Sequence, residues 1–131
     1  MVKKWIIILT IFVGLVLTCV WESSFINNSF ENMIDRIICY KQMLYASKDN
    51  ISTAENLEYL EFLHNDFHQK EKVLKNLIWH TGLKDIEVSI SRIMIYVEEN
   101  DFTEAMTETN ALIDYCKHYQ RDFDLSLENI L

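Results

Sequence analysis

His64 and His68 stand four residues apart in the run His64-Asn65-Asp66-Phe67-His68, a spacing that sets both imidazoles on one side of a helix and can hold zinc. The Glu that follows the first His in zinc proteases is missing, and two ligands are too few for a closed site. His80 comes about three turns further along, and His118 belongs to another segment. The pair therefore reads first as structural or solvated histidine and second as a metal candidate. Cys39 and Cys116 have no base at helical spacing that would make either a nucleophile. Glu98, Glu99, Asp101, Glu104 and Glu108 concentrate negative charge. A cation or basic partner would suit them, but the spacing is not that of an EF-hand loop and its Gly is absent. A solvated turn with acids at a helix N-terminus is the plainer reading. Trp79 and His80 offer an aromatic edge for a partner, or simply end a packed face. No Gly-rich phosphate loop, Ser-His-Asp order or dinucleotide fingerprint occurs. The expectation is a protein that is not an enzyme, with no catalytic residue and no cofactor.

These residues sit in 131 positions, room for one domain. There is no Pro, and the only glycines are Gly14 and Gly82, so helix is strongly favoured. The net charge is −8, and setting aside Lys3 and Lys4 leaves 10 basic against 20 acidic residues, or −10. Such a body has no basic footprint for nucleic acid and is repelled by anionic lipid head groups.

Residues 5–21 run from Trp5 to Trp21 without a charge, at the short end of what spans a hydrocarbon core. Lys3 and Lys4 precede the run, Glu22 follows it, and a Trp marks each end. Basic residues stay on the cytoplasmic side, so the N-terminus is expected in and the C-terminal domain out, on a single-pass cell-membrane protein. Residues 1–21 are then the anchor and 22–131 the extracytoplasmic part. Two processed forms compete with this: signal cleavage near Ser23-Ser24, and a lipoprotein signal at Cys19, where Thr18 departs from the usual small residue.

The remainder is expected to be all-α, an antiparallel bundle of about four helices. The first runs from about Glu22 to Ser47 on the stripe Ile26, Phe30, Met33, Ile37, Tyr40 and Leu44. It either continues the anchor as one rod or hinges near Ser23-Ser24 or Asn27-Asn28. Ser52 with Glu55 reads as the capping box of a second helix, with Tyr59, Leu60, Leu63, Phe67, Leu74, Leu77 and Ile78 on its face. Gly82 is expected as the left-handed residue that ends it, with Leu83 folding back on Ile78. Asp85 is expected to cap a third helix on Ile86, Ile90, Ile93 and Val97, although Ile86 to Ser91 also alternates as a strand would. Asp101 with Glu104 caps a fourth, whose face carries Phe102, Ala105, Met106, Thr109, Leu112, Ile113, Cys116 and Tyr119. The apolar tail from Phe123 to Leu131 is expected to pack back on the bundle or cap an open end. In this topology Cys39 lies about 25 Å up the first helix. Cys116 lies near the lower end of the last, too far away for a disulfide.

The Lys-led anchor ending in Trp21-Glu22, the stretch from Asp85 to Ile93, the helix start from Asn100 to Ala105 and the terminal run from Ser126 to Leu131 resemble, along the whole chain, a small bacterial family known as domain of unknown function 4363. The resemblance implies an anchored, helical, extracytoplasmic protein of Gram-positive-type bacteria. It brings no known activity. The functional expectation is an interaction or accessory module, held in the membrane by residues 5–21, with a protein partner in the membrane or envelope and no nucleic acid. The alternative is a sensor domain for a cation or small ligand, using the acidic turn and His64 with His68.

Overall fold

The computed structural model describes the backbone of residues 1–76 and 80–130, and the side chains of 1–76 and 82–123. Four helices follow in order: α1 (Val2–Ala46), α2 (Ala54–Leu74), α3 (His80–Glu98) and α4 (Phe102–Ile130). No strand occurs among the described residues, so the alternation from Ile86 to Ser91 is helical. α1 packs on α2 and α4, and α3 packs on the same two, which closes an up-down-up-down bundle.

α1 runs unbroken for 45 residues, about 68 Å. Neither Ser23-Ser24 nor Asn27-Asn28 interrupts it. Residues 1–21 are exposed throughout, and the helix has an 18-residue window of mean hydropathy 2.2 with none of it buried. That is long and apolar enough to cross a membrane. Thr10 and Thr18 donate their hydroxyls to the carbonyls of Ile6 (2.8 Å) and Gly14 (2.9 Å), which satisfies them inside the helix. From Ile26 onward the same helix changes role. Ile26, Phe30, Met33, Ile37, Tyr40 and Leu44 are all buried, one stripe facing the other three helices.

The far end of the bundle is locked by polar contacts. Thr53 caps α2 by accepting from the Asn56 backbone N–H at 3.2 Å, one residue later than the Ser52 box expected from sequence. Asn56 is itself buried, and its amide donates to Ser47 Oγ and the Ile51 carbonyl, both at 2.8 Å. Those bonds hold the 47–53 loop with Ile51 wholly buried. Asp101 caps α4 as expected, accepting from the Glu104 N–H at 3.1 Å.

The left-handed helix stop is at Asn100, not Gly82. Asn100 has φ 57°, Asp101 N–H reaches the Tyr96 carbonyl at 2.8 Å and Asn100 N–H reaches Val97 at 3.1 Å. This is a Schellman motif ending α3. Asn100 Oδ1 also accepts from the Ile51 N–H at 2.8 Å, which joins the two distal loops.

Gly82 lies inside α3, and no described Gly has positive φ. α2 stops earlier than expected, at Leu74, and α3 starts earlier, at His80 rather than near Asp85. The reason is that the α3 stripe begins one turn upstream. Leu83 is buried with Ile86, Ile90, Ile93 and Val97, a spacing that continues the helix instead of reversing it. Leu77, Ile78 and Trp79 lie outside the described residues. Gly82 serves close packing instead: a Cβ there would sit 2.6 Å from Tyr119 Cζ on α4. Tyr119 in turn donates to Asp85 Oδ2 at 2.9 Å, so Asp85 holds α4 rather than capping α3. Burial and the Asp85 carboxylate push the Tyr119 phenol up to about 12. On α4, Ala105, Thr109, Leu112, Ile113 and Cys116 are buried, with Phe102, Met106 and Tyr119 partly so. The expected tail continues α4 to Ile130, and the packing of its side chains from 124 onward lies outside the described residues.

The Gly82–Tyr119 contact makes a sign prediction. Gly82→Ala should lower stability by about 1 kcal/mol despite the better helix former, whereas in a Tyr119→Ala background the same change should raise it by about 1 kcal/mol. Urea denaturation of the four members of the cycle measures both; a stabilising Gly82→Ala in the native background would refute the close packing.

Candidate functional site

His64 and His68 project from α2 as the sequence spacing requires. Their rings stack with centroids 6.4 Å apart and planes 8° from parallel. His68 Nδ1 lies 3.8 Å from Glu71 Oε2. Among the described residues no three His, Cys, Asp or Glu side chains converge as a metal set. His118 is on α4, 3.2 Å from Asp122. The side chain of His80 and the whole of Trp79 lie outside the described residues, and with them the aromatic-edge reading.

His64 instead helps to line an open groove of about 530 Å³ between α2 and α3. Leu57, Glu61, His64 and Asn65 come from α2, and Ser91, Met94, Ile95 and Glu98 from α3. Ile95 is 52 % exposed, since its offset of two residues from Ile93 and Val97 turns it away from the α3 core stripe. The acidic turn divides into separate roles. Asp101 caps α4. Glu108 accepts from Ser89 Oγ at 2.9 Å and lies 3.9 Å from Arg92. Glu98 faces the groove.

One cluster was not anticipated from the sequence. Arg36 on α1 lies 2.6 Å from Asp66 Oδ1, and Lys70 Nζ lies 3.0 Å from Asp66 Oδ2. The Lys70 nitrogen and that carboxylate oxygen have essentially no solvent contact, so each relies on the other for its charge. Arg36 also stands 5.0 Å from the Phe62 ring centroid. Tyr59, which stacks on Tyr40, donates to the Arg36 carbonyl at 3.1 Å. The α1–α2 seam is thus aromatic above and ionic below. Asp66 and Lys70 at i,i+4 are an acid-before-base helix pair visible in sequence; that Arg36 meets them is a tertiary fact.

Cys39 is exposed, Cys116 is wholly buried, and both are free, as is Cys19. Burial raises the Cys116 thiol to about 12, with the Lys70 charge opposing, the reverse of what a thiolate nucleophile needs.

The family described as a domain of unknown function, DUF4363, matches residues 20–130. The chain belongs to this family. The DUF4363 match takes in the whole bundle and starts at the C-terminal end of the apolar span. No curated protein and no solved structure matches the chain.

Burial alone would raise the Asp66 carboxyl, but Arg36 and Lys70 outweigh it and hold it below the usual carboxylate range. Because the folded value is the lower one, the cluster stabilises above the unfolded-chain value. That contribution is lost as pH falls through the folded value. Asp66→Asn should therefore cost about 2–3 kcal/mol at pH 7, below the roughly 3–5 of a fully buried pair, and the variant should lose less stability than the parent on acidification from pH 6 to pH 3. Thermal melts of both proteins across that range check it; parallel pH curves would contradict the assignment.

Proposed function

We propose that this DUF4363 protein is a single-pass cell-membrane protein, N-terminus cytoplasmic, whose extracytoplasmic bundle is a non-enzymatic interaction or accessory module. The carrying observation is α1 itself. Its first 21 residues are exposed and overwhelmingly apolar, and the same helix then becomes one wall of the packed core. In water that exposed surface would be an aggregation hazard; in a bilayer it is the lipid-facing side of a span. Lys3 and Lys4 before the span favour an inward N-terminus. The module reading draws on how tightly the described part of the core is filled. The cavity inside the core, lined by Met33, Ile37, Leu63, Asp66, Phe67, Ile86, Ile90 and Leu112, has only about 10 Å³, less than one water needs. Among the described residues, the spaces of about 430 to 530 Å³ are open surface grooves.

The native cysteines give a direct test of orientation. A membrane-impermeant maleimide should label the protein in intact cells at Cys39, and Cys39→Ser should abolish the label, since Cys116 is buried and Cys19 faces lipid. Labelling that appears only after permeabilisation would overturn the orientation. A shortened labelled product in the soluble fraction would overturn the anchor.

A further inference from the structure

We infer that the α2–α3 groove is the docking site for a partner helix that carries basic residues beside an apolar stripe; the inference rests on the interaction-module reading above. The groove runs between two antiparallel helices, which is the shape a third helix fills. Its apolar floor is Leu57, Met94 and Ile95, and Ile95 is 52 % exposed. Glu61 stands on the α2 side and Glu98 on the α3 side. Neither has a cationic partner among the described residues, whereas Asp66 and Glu108 do. Two uncompensated carboxylates flanking an apolar strip are complementary to a helix with Leu-type anchors and Lys or Arg at its edges.

The other open surfaces fit such a partner less well. The α1–α4 groove sets Lys41 and Lys117 beside Asp114 and offers mixed charge. The groove around Phe62 is acidic and that residue is 47 % exposed, but the Arg36 guanidinium stands 5.0 Å from its ring centroid and sets a positive charge against a basic partner.

The position of the groove also restricts the partner. Tyr59 is level with Arg36 to Tyr40 on α1, so the groove opens about 25 Å above Trp21 along the rod. A short loop at the membrane surface does not reach it. The occupant is a helix that projects well clear of the bilayer.

The test uses the full chain in phosphatidylcholine nanodiscs and a fluorescein-labelled amphipathic Leu/Lys helix, followed by anisotropy, with empty nanodiscs as the lipid control. Binding should be saturable. It should weaken about tenfold or more in Glu61→Lys/Glu98→Lys and in Ile95→Asp, and be unchanged in Tyr115→Asp on the exposed face of α4. A matched Leu/Glu helix should not bind. Equal binding of the two peptides, or equal loss in the α4 control, would overturn the site. Circular dichroism melts confirm that each variant is folded, as expected for exposed positions. A photo-crosslinking residue placed at Ile95 or at Tyr115 in membranes separates the two levels of the claim. Capture of a partner from Tyr115 alone keeps the module reading and removes the groove. Self-crosslinking at Ile95 assigns the groove to a second copy and overturns it as well. Capture of a basic helical segment at Ile95 supports it.

Discussion

The uninterrupted hydrogen-bond ladder of α1 is the constraint to which the other helices are referred. One helix leaves the apolar span and, about one and a half turns after Trp21, begins to bury Ile26, with Phe30 a turn further on. No Pro or left-handed residue intervenes, so nothing relaxes the angle between span and bundle. α2 and α4 pack directly on this wall, and α3 closes against them. Tilt or rotation of the span must then move the bundle as one body.

The two ends of the bundle are built differently. At the distal end, backbone and amide bonds do the fixing: Asn56 fills the first loop, and Asn100 ends α3 and reaches across to Ile51. Buried amides left unpaired are costly, so each such bond specifies one loop conformation. Nearer the apolar span, the fixing is by fit and charge, with Gly82 admitting the Tyr119 ring and Arg36 and Lys70 holding Asp66. The surface left over is acidic; exposed apolar side chains such as Ile38, Phe62, Val88 and Tyr115 are scattered over it, and in the α2–α3 seam Ile95 lies beside Leu57 and Met94. A binding module needs this combination of a rigid frame and a local unfilled face.

Much of the fold was legible because the stripes are long and regular. Six positions read from the first stripe all reach the core, and the same holds for Ile86, Ile90, Ile93 and Val97. Asp101 was legible as a cap because Glu104 follows at the right spacing. Gly82 misled because glycine at the end of an apolar run signals a stop, whereas here its lack of a side chain is used against α4. Asn100 tolerates the left-handed conformation less freely than glycine, and its neighbouring acids drew attention to charge instead. His64 marked the groove by position, but the groove itself needs α2 and α3 side by side. Arg36 and Asp66 are 30 residues apart in sequence, and no local pattern links them.

The central claim is the continuity of α1 from span to bundle. Cys19 and Cys39 are both exposed on that helix, and Cys116 can be removed as Cys116→Ser. Spin labels on the two remaining cysteines, measured by double electron–electron resonance in nanodiscs, lie about 30 Å apart along an unbroken helix axis. A single narrow distribution near that separation is the predicted result. A broad distribution, or one centred well below it, would mean a hinge between the span and the bundle and would contradict the account.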